Sequence, residues 1–207
     1  MCIRDRANIT KSTLLLYTEQ TPNPESLKFV SNKMLFQGIA DFKKKDLAEV
    51  WSPLATKLYE EHYVQSVYIS NNFVTITKKP NVEWQDIMIP AKDLLKSLLD
   101  QNTIIVKEGF ENYMVEQEAA TSEGNYDEKD AELVKRIKDM IQMYVKPAVE
   151  MDGGNIEFKS FHDGIVTVMM QGSCSGCPSS TVTLKAGIEG LLKRMVPEVL
   201  EVVAEAV

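Results

Sequence analysis

Around residues 115–127 the regular spacing of apolar side chains that marks the rest of this 207-residue chain stops. In its place come Glu116, Gln117, Glu118, Ala119, Ala120, Thr121, Ser122, Glu123, Gly124 and Asn125, small or polar residues that define no face to bury. Residues 116–130 carry one lysine against six acids. Residues 1–115 balance at 14 basic and 14 acidic, and residues 131–207 carry 8 and 10. Most of the formal charge of −7 therefore sits in one short stretch rather than on a folded surface. A segment of this kind cannot offset its ordering entropy by burial, so the chain is expected to divide there. The expected organisation is a leader over 1–12, a first domain over 13–114, a flexible acidic linker over 115–127 and a second domain over 128–207. Both domains mix strand and helix signals, which predicts an α+β fold: two small α+β domains on one chain.

In the first domain, residues 13–20 are rich in strand formers. Thr21-Pro22-Asn23-Pro24 reads as a loop, because two prolines two apart forbid regular pairing. Residues 21–29 are either a docking loop for clients or a rigid connection between strands. Residues 26–30 alternate polar and apolar, as a second strand does. Ser52-Pro53 reads as a helix start, with proline at the first helical position. Residues 64–70 and 73–78 flank Asn71-Asn72 and predict a hairpin. Trp84, Ile87, Met88, Ala91, Leu94, Leu95 and Leu98 recur at helical spacing over 83–99, with a kink or break expected at Pro90.

The second domain restarts with a helix whose face is Leu133, Ile137, Met140, Ile141 and Tyr144, and Pro147 lies just past its expected end. Asp152-Gly153-Gly154-Asn155 predicts a turn with unusual backbone angles. Residues 156–161 and 165–170 flank His162-Asp163-Gly164 and predict a second hairpin. A helix follows from Pro178, with Leu184, Ile188, Leu191 and Met195 as its apolar positions, and residues 199–204 close as a strand.

Only three cysteines occur: Cys2, Cys174 and Cys177. Three are too few for a disulfide framework in a chain of this size, and an adjacent pair in an otherwise cysteine-free body points to metal or redox chemistry. Gly172-Ser173-Cys174-Ser175-Gly176-Cys177-Pro178 lets two sulfurs face one metal centre, with small residues between them for the tight bend. Cys177 precedes Pro178 at a predicted helix N-terminus, where free N–H groups and the helix dipole favour thiolate. Thiolate is the form that binds iron or zinc. A cubane iron–sulfur cluster takes four protein thiolates, and this loop offers two, so two loops across a two-fold axis would complete the set. A cluster shared in that way would lie near the surface, as suits a carrier.

These residues resemble a known family. Residues 128–207 look like the NifU C-terminal, or Nfu, domain through Lys146-Pro147-Ala148, Met151-Asp152-Gly153-Gly154-Asn155-Ile156, the cysteine loop with Pro178-Ser179-Ser180, Thr183-Leu184-Lys185, and Val196-Pro197-Glu198-Val199. Residues 13–100 resemble the N-terminal domain of Nfu-type proteins through Thr21-Pro22-Asn23-Pro24-Glu25-Ser26-Leu27-Lys28-Phe29, Ser52-Pro53-Leu54-Ala55 and Phe73-Val74-Thr75-Ile76-Thr77. The resemblance implies a [4Fe–4S] cluster (or [2Fe–2S]) bound at Cys174 and Cys177 between protomers, obtained from an upstream scaffold and delivered to apo iron–sulfur clients. It implies a carrier that dimerises on loading, not an enzyme.

Other readings are expected to fail. No basic stripe exists for nucleic acid, and no apolar run approaches bilayer length. The start lacks the apolar core of a secretory signal, which makes the cytosol the simplest compartment, or the mitochondrial matrix in a eukaryote. His62, His162 and the Lys43-Lys44-Lys45 triplet read as solvated. The rivals to a cluster carrier are a dithiol oxidoreductase and a zinc-bridged dimer.

Overall fold

The computed structural model describes residues 13–122, 126–175 and 178–206. Two sheets and two separate hydrophobic cores make it an α+β protein of two units.

The first unit is built on an antiparallel sheet of β1 (Leu16–Gln20), β2 (Ser26–Ser31), β3 (Phe36–Phe42), β4 (Val64–Asn71) and β5 (Phe73–Lys78), in the order β1-β2-β5-β4-β3. One face places Leu27, Phe29, Val74, Ile76, Val67, Ile69, Ala40 and Phe42 against the helices, all buried. Those helices are α1 (Lys45–Trp51), α2 (Pro53–Leu58), α3 (Trp84–Asp100) and the start of α4 (Phe110–Ser122). Ser52 caps α2 by accepting from the Ala55 N–H at 2.9 Å, and Pro53 sits at the first turn, as the Ser52-Pro53 pair predicts. The Asn71-Asn72 hairpin is present, with Asn71 in the left-handed region at φ 49°.

No break occurs at Pro90, and the expected linker begins in a helix. Helix α3 runs unbroken through Pro90. Pro90 lies on the solvent face, so the carbonyl left without a donor can bond to water, while Ile87, Ala91, Leu95 and Leu98 keep the buried stripe. The stretch from residue 115 is not irregular throughout: α4 extends to Ser122, anchored by Phe110 among Trp51, Phe42 and Tyr113.

The second unit starts with α5 (Ala131–Met140), a π-helical turn over Ile141–Val145, and α6 (Lys146–Met151). The helix thus continues past Pro147 instead of stopping before it. Pro147 falls in the first turn of α6, where its missing N–H is tolerated, and the wider π turn precedes it. The extra residue per turn shifts the buried stripe: Val134, Ile137, Ile141, Val145 and Val149 are buried, whereas Tyr144 is 54% exposed. The remaining elements are β6 (Gly154–His162), β7 (Ile165–Gly172), α7 (Pro178–Met195) and β8 (Glu201–Ala206). Strands β6 and β7 form the predicted hairpin, with Asp163 at φ 49° and Gly164 at φ 82°. Strand β8 returns parallel to β7 after the α7 crossover. Among the described side chains of α7, Ile188 and Leu192 are buried and Met195 is exposed.

Candidate cysteine-loop site

Strand β7 ends at Gly172, whose φ of 65° turns the chain out of the sheet. The next residues are tied to the 152–154 turn. The Ser173 N–H donates to the Gly153 carbonyl at 3.2 Å, and the Ser173 hydroxyl donates to the Asp152 carbonyl at 2.5 Å. The Ser175 N–H and hydroxyl both donate to the Gly172 carbonyl, at 3.1 and 2.9 Å. Gly153 has φ 82°, the unusual angle the double glycine predicts. Cys174 stands between these supports, 4% exposed and packed into the second core. A methyl group on Gly154 would lie 2.9 Å from the Cys174 sulfur, so the glycine is what lets that sulfur approach the strand. Cys177, the second predicted ligand, lies outside the described residues, as does Cys2.

The apo thiol of Cys174 is not poised as thiolate. Burial pushes it up to about 11; the Ser173 hydroxyl opposes that and the Asp152 carboxyl adds to it. The helix-terminus argument for a low thiol pKa therefore does not extend to Cys174. A cavity of about 540 Å³ opens beside it, walled by Val145, Ala148, Leu184, Ile188 and Leu191 of the second unit and by Pro22 of the first. His62 and His162 are exposed, as their positions in the sequence suggest. Lys43 is not: it is half-buried and pairs with Asp41 at 3.7 Å, its pKa lowered by burial.

The first unit meets this loop through Asn23 of the Thr21-Pro22-Asn23-Pro24 loop and through a row of sheet residues whose long-range partners nothing local signals. Asn23 donates from its side-chain amide to the Ser173 carbonyl at 2.9 Å. Across the second face of the five-stranded sheet, Lys28 pairs in register with Thr75, Thr75 with Tyr68, and Tyr68 with Asp41, forming one row over four strands. Every member bonds to main chain of the second unit. The Lys28 ammonium donates to the Met151 carbonyl at 2.9 Å, at the C-terminus of α6. Thr75 donates to the Gly153 carbonyl at 3.0 Å and Tyr68 to the Gly154 carbonyl at 3.4 Å, and Asp41 accepts from the Gly172 N–H at 3.4 Å. The one available signal is the polar half of the strand alternation, which an open face would also produce.

Burial raises the Asp41 pKa to about 6 from 3.8, against the opposing pull of Lys43 and the Gly172 N–H. A carboxyl with a raised folded-state pKa binds its proton more tightly in the folded form. Its contribution to stability is complete below pH 3.8 and is lost as pH rises through about 6. Two pKa units correspond to about 3 kcal/mol. Asp41→Asn is expected to flatten this part of the stability–pH curve, read as urea midpoints between pH 4 and pH 7. An unchanged slope in the variant would show that Asp41 titrates normally.

The site is thus a strand-to-helix loop carrying a buried cysteine, braced by a double-glycine turn and a polar sheet face, in an α+β protein. Residues 137–203 match the NifU-like domain family, and residues 16–102 match the family described as scaffold protein Nfu/NifU N terminal. The chain is 40% identical over 192 residues to NifU-like protein 4, mitochondrial, of Arabidopsis thaliana, covering 91% of this chain and 65% of that protein. It is 35% identical over 187 residues to NFU1 iron-sulfur cluster scaffold homolog, mitochondrial, of Homo sapiens, covering 90% of this chain and 70% of that protein. It thus spans about two thirds of the length of these relatives. The solution NMR structure of a NifU-like protein from Saccharomyces cerevisiae is 28% identical, with a TM-score of 0.41, covering 46% of this chain and 86% of that one. The chain belongs to the NifU-like (Nfu) family of iron–sulfur cluster scaffold proteins. Among the described residues, no helix is long and apolar enough to cross a membrane.

Proposed function

We propose that this protein carries a [4Fe–4S] cluster on Cys174 and Cys177, shared between two copies, and passes it to apo iron–sulfur clients. The observation that supports this most is the placement of Cys174: a sulfur at a strand end, against a glycine that leaves room for it, beside a cavity of about 540 Å³. The cluster is cargo. An incoming client thiolate displaces one cysteine sulfur from iron, the freed cysteine takes up a proton, and repetition moves the cluster without covalent turnover of a substrate. The cluster comes from an upstream scaffold, and the relatives' mitochondrial names support the matrix as the compartment in a eukaryotic source.

Ligand counting sets the test. With two loop cysteines per chain and four thiolates per cubane, loading is coupled to dimerisation by mass action. Anaerobic reconstitution should turn monomers into dimers holding one cluster per two chains, read by native mass spectrometry with iron and sulfide assay and Mössbauer spectra. A loaded monomer holding a whole cubane would overturn the shared site. Zinc as the metal of the anaerobically isolated protein would overturn the carrier.

A further inference from the structure

We propose that the first unit is a releasable cap on the cysteine loop, docked through Asn23 and the Lys28–Thr75–Tyr68–Asp41 row, and that undocking controls access to Cys174. The helix-facing side of the sheet is apolar, and its other side would be an ordinary wet face. Instead Lys28, Thr75, Tyr68 and Asn23 are 7%, 1%, 1% and 3% exposed. Buried polar groups of this kind need partners. The bonds they make to the second unit converge on the stretches that brace Cys174: the end of α6, the 153–154 double glycine and the Gly172–Ser173 turn.

The fit is close as well as polar. A Cβ on Gly153 would lie 2.9 Å from the Thr75 hydroxyl, and one on Gly172 would lie 3.0 Å from the Tyr68 ring. The glycines thus serve the docking as well as the turn. Pro22, beside Asn23, supplies a wall of the cavity next to Cys174. The 21–24 loop is held over this site from its own side: the Trp84 indole donates to the Pro24 carbonyl at 3.0 Å, and the Asn23 side chain accepts from the Glu25 N–H at 3.0 Å. The loop is therefore a rigid connection whose exposed end is spent on the cysteine loop. The contact combines hydrogen bonds to the second unit's main chain with a small apolar cluster of Val30, Tyr68 and Phe73 on the same face, and so resembles the part-polar, releasable interfaces between domains of one chain. All the groups involved can return to water on opening.

Release has a chemical consequence. Docked, Cys174 is 4% exposed and Pro22 narrows the cavity beside it; undocking removes that wall and widens access for cluster, a second copy or a client. This consequence rests on the cluster-carrier reading, whereas the cap itself does not.

The test uses the full chain. Asn23→Asp keeps the side-chain oxygen that accepts from Glu25 and removes only the donor to Ser173, putting two acceptors face to face. Thr75→Val keeps shape and removes the bond to Gly153. Iodoacetamide labelling of Cys174, followed by peptide mass and so separated from Cys2 and Cys177, should be roughly tenfold faster in the double variant, since labelling follows the open population when closing is fast. Amide exchange should quicken at 153–155 and 172–175 and stay unchanged at Val67 and Ile76. Labelling within twofold of wild type overturns the cap, and so does faster exchange throughout the first core, which would mark general loosening. A separate arm measures anaerobic cluster loading: a wild-type chain that takes up no iron sinks the carrier reading, while the labelling result still decides the cap.

Discussion

Replacing Cys174 or Cys177 with serine is expected to abolish stable cluster binding, whereas Cys2→Ala should leave it intact. A serine hydroxyl stays protonated at neutral pH and is a hard oxygen ligand where iron in a sulfide cluster is held by thiolates. If the cluster is shared across two copies, one substitution in the gene removes two of the four protein ligands at once. The loss should therefore be complete rather than graded, with iron content falling to the level of a double Cys174→Ser, Cys177→Ser chain. Mixing wild-type and Cys174→Ser chains sharpens the test, because mixed dimers keep three thiolates and should hold a weakened cluster. The fold should survive the change at Cys174. Its sulfur sits in an apolar cluster with one weak contact to the Ser173 hydroxyl at 3.7 Å, so a serine there costs about 1 kcal/mol or somewhat more. Urea midpoints separate that cost from ligand loss. Full iron content in a folded Cys177→Ser protein would remove the loop from the ligand set.

How far the residues themselves disclose this arrangement depends on the range of each interaction. Local chemistry is legible. Ser52-Pro53, Asn71-Asn72 and Asp163-Gly164 specify a cap and two hairpin turns through their own backbone preferences, and all three occur. Gly153 likewise signals its positive φ, and Cys174 its place on the loop that follows a hairpin. Strand β3 is hidden because Gly38, at φ 143°, and a shift in register between Phe36 and Ile39 interrupt its alternation. Helix α1 is hidden because seven residues are too few to show a period. Pro147 reads as a stop because nothing local signals that a π turn can carry the helix past it. The row on the sheet is not legible at all. Lys28, Thr75, Tyr68 and Asp41 look like the wet side of strands, and their partners lie 78 to 131 residues away. Only the docked fold reveals that the polar half of the alternation is buried.

The same geometry makes Gly154→Ala a damaging small substitution near the site. Its new Cβ would lie 2.6 Å from the Gln171 carbonyl, 2.9 Å from the Cys174 sulfur and 3.3 Å from the Cys174 Cβ. The Gln171 carbonyl cannot withdraw freely, because Asn155 and Gln171 face each other in the β6–β7 ladder and Asn155 is bonded to the Gln171 side chain at 2.8 Å. The Cys174 sulfur is the softer neighbour, so the strain is relieved by pushing the ligand away from the strand. Two effects should follow together. Overpacking of a fixed backbone should destabilise the second unit by about 2–3 kcal/mol, read as a urea midpoint. The displaced sulfur should lower iron occupancy in chains that remain folded. Gly190→Ala serves as the control. Gly190 is exposed on α7, and a methyl group added there would meet nothing within 4 Å, so alanine should stabilise the helix by about 0.8–1 kcal/mol and leave iron content untouched. Equal behaviour of the two variants would mean that the tight approach of Gly154 to the cysteine loop does not govern the site. Loss of iron in Gly154→Ala at an unchanged urea midpoint would mean that the glycine positions the sulfur without bearing on the fold.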